Sequence, residues 1–288
     1  MKKLISFVAS ALMAHSAFAA DTKPLTIDVY NAAPSSFGVT STLVYGETEA
    51  MVIDAGFTKA DALRIAAKVF DSNKELNSIF ISQADPDYYF GAETLHAIFP
   101  NAEIITTPAV QKALEKKMPS KVEFWGPKMG ANAPLKPIVP KIYTKPSLTI
   151  DGQTIEIRGT EGILAHRPYL WIPSSKVILG NIGVFGNMHL WMADAQSDES
   201  QEAWKQQLNE MIALKPAMVI PGHMSQGTPT TADTIQHSLD YINAFQKAKE
   251  DSNNSAELIK TLTAKFPNAQ GALNLEIAAK VHKGEMEW

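Results

Sequence analysis

The sequence predicts an α/β fold in four layers, with two β-sheets packed face to face between helices, a four-layer αββα sandwich. Two observations carry this: each half of the chain opens with strand-like segments, and each then carries segments with helical periodicity. A third is size. Once the first 20 residues are set aside, about 270 remain, with ordinary apolar content, no internal repeat and no low-complexity linker, which suits one large domain or two small ones.

In the first half, 25–30, 39–45 and 50–53 have strand composition, and Gly46 to Glu49 reads as a hairpin turn. Thr58 is a candidate N-cap for a helix on which Leu63, Ala66, Ala67 and Phe70 recur at helical spacing. A buried strand at 78–81, a helix at 92–98 and a strand at 103–106 come next. From Pro119 to Pro146 the chain is proline-rich, with Phe124, Trp125 and Met129 interleaved; it reads either as an ordered surface excursion or as a loop overhanging a pocket. In the second half, strands are expected at 147–150, 154–158, 169–172 and 176–179. A helix at 199–214, a strand at 217–220 and a helix carrying Ile235, Leu239, Ile242 and Phe245 complete the pattern.

Residues 1–20 have the layout of a secretory signal: Lys2 and Lys3, an apolar run from Leu4 to Met13, then small residues ending Ala17-Phe18-Ala19. Cleavage near Ala19 or Ala20 is expected, giving a periplasmic or secreted protein. The run is too short to span a bilayer comfortably, and no later segment has the roughly 20 apolar residues of a membrane helix. Losing the leader's two lysines moves the formal charge from -4 to about -6. No basic stripe points to nucleic acid. With no cysteine there is no disulfide, thiolate ligand or cysteine nucleophile, so metal ligands must be His, carboxylate, amide or phenol.

Three segments at matching order and separation carry a resemblance: Met51-Val52-Ile53-Asp54-Ala55-Gly56; Ile79-Phe80-Ile81-Ser82-Gln83-Ala84-Asp85-Pro86-Asp87-Tyr88 with Gly91 after it; and Met218-Val219-Ile220-Pro221-Gly222-His223. Over about residues 25–245 the chain resembles the metallo-β-lactamase superfamily. In its active members imidazoles and an aspartate hold two zinc ions and a bridging hydroxide. The resemblance implies that Asp54 supports the metal-site loop. It places the family's HxHxDH loop on Gln83, Asp85, Asp87 and Tyr88, so that one of four ligands survives. Ile163 falls where a ligand belongs, with His166 close enough to substitute. Asn181 falls where the bridging carboxylate belongs, and His223 keeps the last imidazole. So degenerate a set implies at most one divalent metal (Zn, Mn or Fe) held by Asp85, Asp87, Tyr88, Asn181 and His223, or no metal at all. Asp85-Pro86-Asp87 alone is equally readable as a turn.

His189 and Asp194, in Asn187-Met188-His189-Leu190-Trp191-Met192-Ala193-Asp194, are candidates for a base and its orienting acid at the rim of the same pocket; the plainer reading of His189 is a core histidine beside a tryptophan. His96, His237 and His282 fall on helical patterns, and Trp171, Trp204 and Trp288 read as packing residues. Ser174-Ser175 lacks the strand-turn-helix setting of a nucleophile elbow. The expectation is a domain at 21–250 followed by a helical extension at 251–288, whose helices over 255–283 could instead serve a structural or partner-binding role. The expected function is an exported hydrolase acting on a small molecule, with Asp87, Tyr88 and His189 in catalytic roles and Gln83, His166 and Asp194 lining the pocket. The alternative is a small-molecule-binding protein that has lost the metals.

Overall fold

The computed structural model describes residues 23–288; the leader expected at 1–20, and its cleavage point, lie outside them. Thr26–Asn31 (β1), Thr40–Tyr45 (β2) and Glu49–Ile53 (β3) form an antiparallel meander, with the Gly46 amide donating to the Glu49 carbonyl in the expected tight turn. Helix α1 (Lys59–Ser72) starts at Thr58 with a capping box: the Thr58 hydroxyl accepts the Asp61 amide at 3.0 Å, and the Asp61 carboxylate accepts the Thr58 amide at 3.1 Å. Its buried stripe is Ala62, Ile65, Ala66 and Val69, one position round from the stripe read in the sequence. Leu63 and Phe70 are 51% and 64% exposed. Both stripes have helical spacing, so periodicity cannot choose between them; Phe70 packs beside Phe99 instead, ring centroids 5.1 Å apart.

Glu75–Phe80 (β4) runs parallel to β3. Two short helices, Pro86–Tyr89 (α2) and Ala92–Ile98 (α3), lead to Glu103–Thr106 (β5). The segment expected as a surface excursion from Pro119 to Pro146 divides: Pro108–Met129 is one helix, α4, running through both Pro119 and Pro127, and only the chain after Met129 is largely without regular structure. Proline inside a helix removes a hydrogen bond and costs about 3 kcal/mol, which is why the sequence reads as a break. Tertiary packing overrides it here. Val110, Leu114, Met118, Val122, Trp125 and Met129 recur at helical spacing along the whole length and pack on the core over the first sheet. Beyond it, Lys141–Ile142 (β6) completes a six-stranded sheet in the order β1 to β6.

Ser147–Ile150 (β7), Gln153–Arg158 (β8), Tyr169–Ile172 (β9) and Val177–Leu179 (β10) form a second antiparallel meander. Phe185–Gly186 (β11) and helix Asp198–Ala213 (α5) come next; Met218–Val219 (β12) then adds parallel to β10, and His223–Met224 (β13) pairs with β11. Helices Asp233–Asp251 (α6), Ser255–Lys265 (α7) and Ala272–His282 (α8) close the chain.

Three apolar layers hold this sandwich. Val44, Met51, Ile53 and Phe80 of the first sheet meet Leu148, Ile155, Leu170 and Leu179 of the second. The outer face of the first sheet is covered by α1, α3 and α4, and that of the second by α5 to α8. Leu258, Leu262, Leu275 and Ala278 lie in one cluster with Trp204, Ile235 and Phe245, so α7 and α8 are built into the outer helical layer.

The two sheets are also stitched at one edge. The Thr40 hydroxyl donates to the Pro221 carbonyl at 2.6 Å, and the Thr40 amide to the Gly222 carbonyl at 2.9 Å. A β-carbon on Gly222 would sit 2.0 Å from the Asn181 carbonyl oxygen and 2.6 Å from the Tyr88 hydroxyl, so only glycine fits. We expect Gly222→Ala to destabilise the protein by roughly 3 kcal/mol or more in urea unfolding; a midpoint near wild type would refute this close approach. Pro119→Ala should raise stability by about 1–3 kcal/mol, and a lowered midpoint would argue against a helix through residue 119.

Candidate functional site

The site lies where strands of both sheets end together. β3 runs into Asp54, whose backbone adopts φ +65°, a region that aspartate tolerates better than most residues. The Asp54 amide donates to the Phe80 carbonyl at 2.9 Å, and its own carbonyl accepts the Ser41 hydroxyl at 2.5 Å. Its carboxylate accepts both the amide and the hydroxyl of Ser82 at 2.7 Å. Burial pushes the carboxyl up to about 7 against the pull of those two bonds. Asp54 therefore braces the chain as it leaves β4, which is the geometry of a supporting residue.

Beyond Ser82, the buried Gln83 turns its amide to the Pro168 carbonyl at 2.9 Å, tying this loop to the start of β9. Asp85 makes no cap bond to α2 and faces the Lys117 ammonium at 3.4 Å. Pro86 opens α2, where its missing N–H costs nothing. Asp87, in the first turn, is 7% exposed and has a carboxyl oxygen 3.4 Å from Nε2 of His223. Burial first, and then the charge of Asp85, push the Asp87 carboxyl up to about 8.

His223 is held on three sides. Its Nδ1 lies 3.1 Å from the Phe37 carbonyl, an acceptor only, so Nδ1 carries the proton and Nε2 turns its lone pair to Asp87. The Phe185 ring stacks on the imidazole at 5.1 Å, and the Tyr88 ring meets it edge-on at 5.6 Å. Burial pushes the imidazole down to about 4. Burial therefore favours the uncharged form of both, a raised carboxyl facing a lowered imidazole.

The other expected residues divide. Tyr88 is fully buried and donates its hydroxyl to the Asn181 carbonyl at 3.2 Å, with burial holding the phenol well above its ordinary value. The Asn181 side chain is used by backbone on both ends, donating to Ile220 O and accepting from Val184 N, each at 2.9 Å. Ile163 is 47% exposed. His166 is half-buried, pushed down by burial and by the charges of Arg167 and Lys117. Burial raises Asp194, but the Arg167 guanidinium, 3.5 Å away, and Lys117 bring it below its usual range; it also accepts the Trp288 indole at 2.5 Å. His189 sits among the outer helices, its Nδ1 3.0 Å from the Tyr241 hydroxyl and its backbone bonded to Gln270 and Asn274. Among the described residues no hydrogen bond joins it to Asp194, Asp87 or His223. His237 and His282 each meet a backbone carbonyl, and His96 is exposed.

Sequence reasoning missed Phe37 and Phe185, which frame the imidazole, and Lys117, Lys121 and Arg167 at the mouth. The helical spacing from Val110 to Met129 is the signal that could have found the two lysines, were the prolines not so strong a sign of a break.

These donors do not fit a zinc pair. Zinc sites take three or four strong protein donors. Among the described residues no three His, Asp or Glu side chains gather where they could share an ion. Asp85 is turned to Lys117, Asn181 and Gln83 are spent on backbone groups, and Asp87 and His223 face each other.

A sequence search among curated proteins returned no match. Solved structures do match. A metallo-beta-lactamase family protein from Thermus thermophilus aligns with TM-score 0.62 at 14% identity, covering 91% of this chain and 92% of that one. The sec-alkylsulfatase Pisa1 from a Pseudomonas species aligns with TM-score 0.57 at 14% identity over 88% of this chain and 50% of that one. The B3 metallo-beta-lactamase BLEG-1 gives 0.56 at 16% identity over 75% and 99%. At such identities these likenesses establish the αββα fold. The sequence pattern of the Metallo-beta-lactamase superfamily matches residues 36–223, well over half of the chain and spanning every loop that meets at Asp87, and the chain belongs to that superfamily.

Proposed function

We propose that the chain is a hydrolase of small carbonyl substrates, esters or lactones, in which Asp87 and His223 perform the acid–base chemistry. One observation carries this reading: the 3.4 Å approach of a carboxyl whose burial favours the protonated form to the unprotonated nitrogen of an imidazole. Nε2 of His223 takes a proton from an attacking water, and the Asp87 carboxyl gives its proton to the oxygen of the leaving alcohol. Transfer of the imidazolium proton to the resulting carboxylate, across the same gap, restores the starting forms. Such pairs are commonly long before substrate binds and tighten with it. Tyr88 and Phe185 hold the ring in place. The leader read in the first twenty residues supports a periplasmic or secreted location, and coarse membership in a superfamily rich in hydrolases supports the reaction class.

Because Asp85, Asn181 and Gln83 are committed elsewhere, the reading does not draw on the single metal ion that the loop suggested. We expect calorimetric titration with zinc or manganese to show no stoichiometric site, and a chelator to leave hydrolysis unchanged; activity restored only by a metal would overturn the proposal. A screen of ester, lactone, β-lactam and phosphoester substrates supplies the assay, and inertness to all of them would favour a binding protein. Asp87→Asn and His223→Gln should each lower kcat by about 10²–10⁴-fold.

The pH dependence comes from the two shifts. kcat/KM should be bell-shaped, falling as His223 protonates near 4 and as Asp87 ionises near 8, and Asp87→Asn should abolish the alkaline limb. Stability has its own signature. Asp87 is raised in the folded state, so its contribution is complete below its unfolded value of about 4 and is lost as pH rises through about 8. His223 is lowered, so its contribution is present above its unfolded value of about 6.5 and is lost as pH falls through about 4. The urea midpoint of Asp87→Asn should therefore fall less than that of wild type between about pH 6 and 9; equal losses would count against a protonated Asp87.

A further inference from the structure

We propose that Lys117, Lys121 and Arg167 form a subsite for an anionic group on the substrate, a carboxylate, sulfate or phosphate, beside Asp87. The inference rests on reading Asp87 and His223 as the reacting pair, and it names the substrate class that pair would meet.

Arg167 is the strongest observation. It is 9% exposed, and among the described residues its guanidinium donates a single hydrogen bond, to Asp194 at 3.5 Å. A guanidinium has five donors, and its bonds to carboxylates ordinarily measure about 2.7–2.9 Å. The other oxygen of Asp194 is taken by the Trp288 indole. On its remaining side the guanidinium lies 5.7 Å from the Trp204 ring. Its other N–H donors have no protein acceptor among the described residues and reach solvent, so they are open to an incoming anion.

The two lysines repeat the pattern from the opposite wall. Lys117 reaches Asp85 only at 3.4 Å. Lys121 lies 5.3 Å from the centroid of the Trp288 ring and is in no ion pair among the described residues. Contacts link them: Arg167 and the Trp288 indole share Asp194, Lys121 lies over the Trp288 ring, and Lys117 meets Asp85 two residues before Asp87. Of the three cations only Lys117 and Arg167 have a carboxylate partner among the described residues, Asp85 and Asp194 respectively, and both pairs are long, in a chain whose formal net charge is -4. An added oxyanion would therefore supply acceptors that the protein does not.

Binding to the full-length folded protein, followed by tryptophan fluorescence, tests the idea with benzoate and phenyl phosphate as probes and benzamide as the neutral counterpart. We expect saturable binding of at least one anion about tenfold or more tighter than benzamide, weakening as salt is raised. Lys121→Gln and Arg167→Gln should each loosen the anion about tenfold and leave benzamide unchanged. Lys121 is partly exposed, so its variant keeps the test open if Arg167→Gln does not fold. Anions binding no tighter than benzamide, or binding equally well to the Lys121→Gln variant, would overturn the subsite. The two readings fail separately. Anion binding retained in wild type and Asp87→Asn, with no hydrolysis by either, would sink the reaction and leave the subsite; hydrolysis without preference for anions would do the reverse.

Discussion

The hold of the Asp54 carboxylate on Ser82 is the interaction on which the site depends. It joins the end of β3 to the exit of β4 through two 2.7 Å bonds made inside the protein, at a residue whose backbone is turned to positive φ. The chain beyond Ser82, from the Gln83 anchor to the first turn of α2 with Asp87, starts from a point fixed by that brace. A buried carboxyl accepting two donors costs less than one left bare, and removing the serine groups would leave it unsatisfied.

Around this brace the loops are joined by direct hydrogen bonds: Gln83 reaches the Pro168 carbonyl, Tyr88 the Asn181 carbonyl, and Asn181 the Ile220 carbonyl, each tying one loop to the next. A metal ion cross-links loops by drawing their donors to a common centre; these bonds join the same loops pairwise. Asp87 and His223 are left facing each other at 3.4 Å, with the imidazole packed against Tyr88 and Phe185 and oriented by the Phe37 carbonyl. Burial raises the acid and lowers the base, so both reach the forms in which one can give and the other take a proton.

The mouth is assembled from parts distant in the chain. Helix α4 contributes Lys117 and Lys121, and also Trp125, which packs edge-on against Phe37 and Phe57 and so presses on the segment that carries the His223 acceptor. From the other side, Trp288 meets Trp191 at 5.3 Å and bonds Asp194. The proline-bearing helix and Trp288 therefore meet, with Lys121 5.3 Å from the centroid of the Trp288 ring.

The sequence alone determined the layered α/β architecture, the strands and most helices, and the three loops that meet at the site, because alternation, helical spacing and motif order are local or ordered properties of the chain. It also singled out Asp54, Asp87 and His223. The tertiary structure alone decided which face of α1 is buried, that α4 survives two prolines, and that Gln83, Tyr88 and Asn181 point to backbone carbonyls while His189 lies among the outer helices. Those outcomes depend on packing against residues far away in sequence, and on which hydrogen-bond partner lies within about 3 Å. No spacing along the chain encodes either.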